Sequence, residues 1–228
     1  MQGHVSILSV SPEAAAMIAS GGRISTMDGT ADEIYANSLS AGQEKNEKLI
    51  GKVLSSGHTS VLEHCYVNLS FENVSALAEQ FLIEFRLASF TVKSRRYVDF
   101  SKAGYVSPVF TANVQMAIFE RTVESLFGTY DVLEAAGVPK EDARFVLPYC
   151  FCSNFFCSMN ARELVHVMNE LAYGRGSRIP ELRALGESLF AQCEQQIPFL
   201  AVRKPEAYRQ SDAFCLRQVR LLTSKAPV

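Results

Sequence analysis

The chain has 228 residues, of which 48% are hydrophobic and 20% charged, so it can bury a substantial core, and we expect a single domain over residues 1–228. Its formal net charge of -2 gives no electrostatic basis for nucleic-acid binding as a main function. The sequence shows neither a charged-then-apolar leader nor an apolar run near the ~20 residues of a membrane span, which favours a cytoplasmic protein that does not bind membranes.

The predicted elements combine many helices with a few strands. In chain order, the hydrophobic pattern predicts a strand at 5–10, helices at 12–20 and 31–56, a strand at 61–72, helices at 75–86, 113–136 and 139–144, a strand at 145–158, and helices at 161–171, 180–195 and 207–222. Gly21 and Gly22 are predicted to end the first helix, and Gly57 the second. Because the strands do not alternate regularly with helices, an α+β fold is favoured over repeated βαβ units.

The six cysteines are expected to be reduced and mostly buried thiols. They are Cys65, Cys150, Cys152, Cys157, Cys193 and Cys215. Zinc sites usually combine two closely spaced ligand pairs, and no second pair matches Cys150 and Cys152, nor do the four histidines complete one. We therefore expect packing roles for the cysteines and no metal site.

Residues 84–97 are rich in cationic and hydroxyl side chains. This segment reads E-F-R-L-A-S-F-T-V-K-S-R-R-Y and contains three arginines and three serine or threonine hydroxyls, namely Arg86, Arg95, Arg96, Ser89, Thr91 and Ser94. Arginine forks and small hydroxyls near a helix end suit phosphorylated anions such as nucleotides. Taken by itself, such a segment is more often ordinary protein surface.

Two further segments carry candidate binding residues. Residues 57–64, G-H-T-S-V-L-E-H, place a histidine and an acid after a predicted helix end, which suits either a ligand site or a plain helix stop. In N-A-R-E-L, Asn160 takes the capping position of a helix and Arg162 its first turn, where an arginine is unfavourable without an anionic partner. Arg144, within A-R-F-V-L-P, precedes the strand that leads to this junction.

In this order, the segments resemble the flavin-dependent thymidylate synthases, whose motifs read G-H-x-S-x-x-E-H, R-H-R-x7-S, A-R-x-x-L-P and N-A-R-S/E-L. The resemblance spans residues 23–189. It implies an α+β fold of that family, with an antiparallel sheet packed with long helices. It also implies a homotetramer that binds FAD and a pyrimidine nucleotide such as dUMP where subunits meet. The implied reaction is methylation of uracil at C5, with the carbon from methylenetetrahydrofolate, the hydride from reduced flavin and NADPH as the source of reducing equivalents.

The resemblance also assigns roles to individual residues. Flavin contacts would come from Ser25, His58, Ser60, Glu63, Arg86, Asn160, Arg162 and His166. Nucleotide contacts would come from Ser94, Arg95, Arg96 and Arg144. No cysteine serves as nucleophile in this family.

The sequence departs from the family pattern at two places. Glu84 and Phe85 stand where the signature has arginine and histidine, and Lys93 could compensate by pairing with Glu84. After the Arg162 helix, the arginine that polarises the uracil is also absent, and Arg175 and Arg178 are the candidate replacements. Two alternatives therefore remain open. One is an active C5 methyltransferase; the other is a catalytically inactive flavin- or nucleotide-binding relative that acts as a regulator or as a hetero-oligomer partner of an intact paralogue.

Overall fold

The computed structural model describes residues 3–213, so the expected helix at 207–222 lies partly outside the described residues. The strands are β1 His4–Val10, β2 Tyr66–Ser75, β3 Ala88–Val92 and β4 Cys152–Asn160. They form one sheet in the order β1-β2-β4-β3. Backbone N–H groups of Ala76 and Ala161 donate to the carbonyl oxygens of Phe151 and Cys65, so β2 and β4 are antiparallel. The predicted α+β class with an antiparallel sheet is confirmed.

Helices account for most of the remaining regular structure. They are α1 Ala14–Arg23, α2 Ala31–Ala41, α3 Gln43–Ser55, α4 Ala76–Ile83, α5 Asn113–Ala135, α6 Lys140–Ala143, α7 Ala161–Ala172 and α8 Pro180–Gln196. Short 3-10 helices cover Ser60–His64, Arg144–Val146, Arg175–Arg178 and Pro198–Leu200, and residues 205–213 are helical. Among the helices described, none combines the length and apolar character that crossing a bilayer requires.

Two predictions about where helices end are wrong. The predicted helix at 31–56 is two helices, because Gly42, with φ of 82°, separates α2 from α3. Gly21 and Gly22 lie within α1 instead of ending it. A Cβ at Gly21 would lie 3.2 Å from Cδ2 of His64, so close packing accounts for the glycine at this position.

The strand predictions were only partly correct, since they found three of the four strands and placed the start of two of them too early. The strand predicted at 61–72 begins late, because Ser60–His64 forms a 3-10 helix, and it continues to Ser75, whose hydroxyl caps α4. The strand predicted at 145–158 begins at Cys152, because Arg144–Val146 is a 3-10 turn. The short strand β3 was not predicted.

The described residues divide into two compact units, and the expectation of a single domain stays a prediction. The first unit comprises residues 3–5, 70–84 and 90–157, and the second comprises 6–69, 85–89 and 158–213. The core of the first unit contains Ala76, Phe100, Val123, Phe127, Tyr130, Ala143 and Phe151. In the second unit, a Cβ at Gly186 would lie 2.8 Å from Cβ of Leu171, so α7 and α8 approach closely there.

Five cysteines fall within the described residues, and all five are free thiols. Four of them are buried, as predicted, namely Cys65, Cys152, Cys157 and Cys193. Cys150 is half-buried, and Cys215 lies outside the described residues. Burial raises the pKa of the Cys193 thiol to about 12, which keeps it protonated at neutral pH.

Candidate active site

The residues predicted to bind ligands fall into two groups, one in each unit. The nucleotide group, in the first unit, is Ser94, Arg95, Arg96 and Arg144. The flavin group and the two candidate arginines, in the second unit, are Ser25, His58, Ser60, Glu63, Arg86, Asn160, Arg162, His166, Arg175 and Arg178.

A cavity of about 290 Å³ in the first unit brings together two of the predicted nucleotide residues, Arg95 and Arg144. Its other lining residues are Ala76, Gln80, Phe145, Leu147, Tyr149 and Phe151. The lining therefore offers two guanidinium groups, one side-chain amide and several aromatic rings. This combination suits a small ligand that carries both an anionic group and a planar polar ring.

Arg95 is fixed in the wall of this cavity by contacts on two sides. Its Nη2 donates to Oε2 of Glu79 at 2.5 Å. Its guanidinium carbon lies 4.9 Å from the centroid of the Phe151 ring, which is cation–π distance. Its Nε is buried and has no hydrogen-bond partner among the described residues. The side chain of Arg95 is 20% exposed and that of Glu79 only 2%.

Glu79 contacts two residues that line the cavity, and the sequence did not reveal it. Besides Arg95, the buried hydroxyl of Ser153 donates to its Oε2, and Nε2 of Gln80 donates to its Oε1 at 3.3 Å. Glu79 lies near the start of α4, where the helix dipole favours a carboxylate. A single acid within an almost wholly apolar helix was the one available signal.

Arg144 and Arg96 share a neighbour, Glu141. Nε of Arg144 donates to the backbone carbonyl oxygen of Glu141 at 2.8 Å, and its guanidinium carbon lies 5.6 Å from the centroid of the Phe145 ring. Nε of Arg96 donates to the Glu141 carboxylate at 2.6 Å. The hydroxyl of Ser94 accepts from the backbone N–H of Arg96 at 3.2 Å. Neither Ser94 nor Arg96 lines the cavity as the single chain shows it.

In the second unit, two predicted flavin residues that are distant in sequence meet directly. Nη1 of Arg162, in the first turn of α7, lies 2.5 Å from Oε1 of Glu63, in the 3-10 helix Ser60–His64. Both side chains are well exposed, at 51% and 44%. Asn160 caps α7, since its Oδ1 accepts from the N–H of Glu163 at 2.9 Å, as predicted from its position.

The remaining flavin candidates are mostly exposed. Ser25, His58, Ser60 and Arg86 all lie at the surface of the single chain. The hydroxyl of Ser25 donates to the carbonyl oxygen of Gly22 at 3.2 Å.

Phe85, at an altered motif position, and His166, a predicted flavin contact, touch each other in the second unit. Phe85 is buried and packs edge-on against His166, with ring centroids 5.5 Å apart. Nδ1 of His166 is 2.8 Å from the hydroxyl oxygen of Tyr208. Burial raises the pKa of Tyr208 to about 12, so its hydroxyl is neutral at ordinary pH.

The candidate replacement arginines lie together in the 3-10 helix Arg175–Arg178. Nη2 of Arg178 donates to the carboxylate of Asp212, and Nε of Arg175 is 4.0 Å from the carboxylate of Glu170. Their assignment to the uracil stays a prediction. The pairing of Lys93 with Glu84 likewise stays a prediction.

Comparison with known proteins identifies the family. The family described as "Thymidylate synthase complementing protein" matches residues 6–199. The flavin-dependent thymidylate synthase of Nitratidesulfovibrio vulgaris is 31% identical over 209 residues, covering 86% of this chain and 84% of that protein. The enzyme of the same name from Geobacter sulfurreducens is 34% identical over 166 residues, covering 71% and 70%.

A solved structure shows the same fold at lower identity. The UMP/dUMP methylase PolB from Streptomyces cacaoi, bound with 5-Br dUMP, matches with a TM-score of 0.71 and 21% identity over 88% of this chain and 93% of that chain. The likeness extends over most of the chain, in agreement with the predicted fold. Because the family match and the relatives each extend over most of the sequence, the chain belongs to the family of flavin-dependent thymidylate synthases.

Proposed function

We propose that this protein methylates a pyrimidine nucleotide, dUMP or a close relative such as UMP, at C5 of the uracil ring. The observation that carries the proposal is the cavity in which Arg95 and Arg144 lie beside Gln80 and aromatic rings. Its volume of about 290 Å³ is close to the lower end of the ~300–1,000 Å³ that small-molecule sites usually have. The names of the relatives and of the structural neighbour point to the same substrate class.

The side chains in the cavity match the chemistry of such a nucleotide. A phosphomonoester carries a dense negative charge and accepts paired hydrogen bonds from guanidinium groups, which Arg95 and Arg144 can donate. The uracil ring is planar and presents alternating donors and acceptors, which suits the amide of Gln80 and the ring faces of Tyr149 and Phe145. We infer that the cavity holds the nucleotide with its phosphate toward the arginines.

We propose that FAD is the resident cofactor and that the second unit supplies contacts to it. His58 and Ser60 lie on the Ser60–His64 turn or just beside it, and Asn160 and Arg162 lie at the N-terminus of α7. His58, Ser60 and Arg162 are exposed and Asn160 is half-buried, and such a donor set fits a diphosphate. Glu63 pairs with Arg162 at the protein surface, so the arginine can be released to an anion at low cost. The bound flavin would supply the redox step, with methylenetetrahydrofolate and NADPH as co-substrates.

We further propose a cytoplasmic homotetramer. The long helix α5 exposes several large apolar side chains on the single chain, including Val114, Ile118 and Val132. Exposed apolar side chains on one helix favour burial against another protein surface. Size-exclusion chromatography with light scattering tests the assembly, and a monomeric holoprotein would contradict it.

No observation favours the inactive alternative over the active one. An inactive relative that still binds flavin or nucleotide would also keep a cavity lined by two arginines. The distinction is experimental, because Glu84 and Phe85 still replace two residues of the family signature.

The visible absorption spectrum of the purified protein with FAD, before and after addition of dUMP or UMP, tests the proposed binding function. We expect a bound-flavin spectrum that one of the nucleotides perturbs. The same titration with AMP is the matched control, since it keeps the phosphate and changes the base. A protein that retains no flavin after FAD is added would contradict the proposal.

A further inference from the structure

We propose that Glu79 is a positioning residue of the nucleotide site, whose buried carboxylate fixes Arg95 so that the guanidinium faces the phosphate of the substrate. The inference rests on the proposed function, since it assigns to the same cavity a residue that no motif of the family resemblance includes. Glu79 itself is not among the residues that line the cavity, so it acts through Arg95.

Several hydrogen bonds fix the carboxylate of Glu79 in one position. Its carboxylate accepts hydrogen bonds from three side chains, those of Gln80, Arg95 and Ser153. Two of these donors, Gln80 and Arg95, line the cavity, so a single buried carboxylate orients two of the polar side chains in the cavity wall. Ser153 is wholly buried on β4 and holds the carboxylate from the side of the sheet.

A role in stability alone does not explain a carboxylate at this position. A carboxylate taken out of water loses much hydration energy, and an ion pair in its place often stabilises a fold no better than well-packed apolar side chains would. The neighbours of Glu79 on α4, Ala76, Ala78 and Leu82, are apolar and buried, so an apolar residue would suit the helix. The ion pair is best explained by what it does to Arg95.

The contacts with Glu79 and Phe151 restrict both the direction and the plane of the Arg95 guanidinium group. The Glu79 bond at Nη2 fixes one edge of the guanidinium fork, and the Phe151 ring fixes its plane. Because Glu79 offsets the charge of Arg95, this arginine contributes directed N–H groups more than net positive charge. Arg144, by contrast, donates its Nε–H to a backbone carbonyl oxygen, which does not offset its charge, and it lines the cavity. The hydrogen bond from Gln80 to Glu79 is longer, at 3.3 Å, than that from Arg95, at 2.5 Å. We therefore expect Glu79 to govern recognition of the phosphate more than that of the uracil.

The test compares dUMP with deoxyuridine, which lacks the phosphate, in binding to the flavin-loaded full chain by isothermal titration calorimetry. E79Q keeps the shape of the side chain and removes its charge. We expect the dissociation constant for dUMP to rise about 10-fold, as for loss of a charge-assisted contact, and that for deoxyuridine to stay within about twofold. In an R95M background, E79Q should add less than about a twofold change, because the two residues act as one unit.

Control variants separate positioning from folding. E134Q breaks the Glu134–Lys140 ion pair in the same unit and should leave dUMP affinity unchanged. E79D keeps the charge and should restore part of the affinity lost in E79Q. If E79Q does not fold by circular dichroism, S153A, which removes one hydrogen bond to the carboxylate, should raise the dUMP dissociation constant by a smaller factor of about 2–5.

The outcomes separate the inference from the proposed function. Equal loss of dUMP and deoxyuridine affinity in E79Q, or an unchanged affinity for both, would overturn the positioning role while leaving the proposed function in place. A wild-type protein that binds flavin but no pyrimidine nucleotide would overturn both. A selective loss for dUMP that disappears in the R95M background would support the inference.

Discussion

The two units each contain an arginine–glutamate pair with the same separation but very different surroundings. Arg95 and Glu79 in the first unit, and Arg162 and Glu63 in the second, are both 2.5 Å apart. The side chains of the first pair are 20% and 2% exposed, whereas those of the second are 51% and 44% exposed. Burial, and not distance, therefore decides what each pair contributes.

The difference in burial between the two pairs has a functional consequence. An exposed pair is worth ~0–1 kcal/mol because water and salt screen it, so Arg162 can leave Glu63 for an anionic ligand with little loss. A buried pair cannot be opened so easily, because the carboxylate would remain desolvated and unpaired. Arg95 is thus held in one orientation before any ligand arrives, whereas Arg162 is available for exchange.

The largest expected effect comes from breaking the buried pair. E79A should lower the free energy of unfolding by about 3–5 kcal/mol, since it leaves Arg95 without its partner and opens a small space in the core. The double variant E79M/R95M should recover much of this loss, because apolar side chains can replace a buried ion pair. Urea unfolding followed by circular dichroism measures both. A loss below about 1 kcal/mol in E79A would show that this pair behaves like an exposed one.

The second effect concerns the division of ligands between the two groups. R144M should weaken dUMP binding by about 10–100-fold, the range of a lost hydrogen bond to a charged group, and leave FAD affinity unchanged. R162M should weaken FAD binding and have a smaller effect on dUMP. Fluorescence titration of each ligand provides the readout. If both variants weaken both ligands equally, the assignment of one group to the nucleotide and the other to the flavin is wrong.

The third effect comes from the interior of the second unit, where the buried Cys193 thiol makes stability depend on pH. Because burial raises the pKa of Cys193 to about 12 from 9.0, the unfolded chain releases this proton first as the pH rises. The thiol therefore stabilises the fold below about pH 9, and the free energy of unfolding falls toward pH 12 by at most ~1.4 kcal/mol per pH unit. C193A should flatten this decrease between pH 9 and 10, below the range in which Tyr208 titrates. Denaturant unfolding at several pH values measures it, and an unchanged slope would contradict the prediction.

The smallest effect belongs to the exposed pair. E63A should change the free energy of unfolding by no more than ~1 kcal/mol, and the change should shrink further at high salt. Thermal unfolding at low and high ionic strength is sufficient to detect it. A salt-independent loss of several kcal/mol would mean that Glu63 is a structural residue, and the contrast between the two pairs would fail.

The sequence predicted the long elements better than the short ones. Helices α5, α7 and α8 were placed within one or two residues, because each has a long apolar face or a clear start signal. β3 is only 5 residues long, and neither its length nor its pattern distinguishes it from a loop. The break at Gly42 was missed because the helical period continues on both sides of it.

The sequence also predicted only part of the site, because it reports on local patterns and not on distant partners. Motifs identified Arg95, Arg144, Glu63 and Arg162, and the structure brings each of these into a pair or a cavity. Glu79 could not be found, because its partners Arg95 and Ser153 lie 16 and 74 positions away, and sequence periodicity reports only on neighbours. An acid in an apolar helix gives no sign of its partner until the chain is folded.

Product formation tests the central claim most directly. The purified protein would be incubated with FAD, NADPH, methylenetetrahydrofolate and either dUMP or UMP, and the 5-methylated nucleotide would be quantified by mass spectrometry, with R144M as the impaired variant and E134Q as the matched control. We predict methylated product from at least one nucleotide with wild type and E134Q, and much less with R144M. Bound flavin and bound nucleotide without any methylated product would contradict the account and identify an inactive relative.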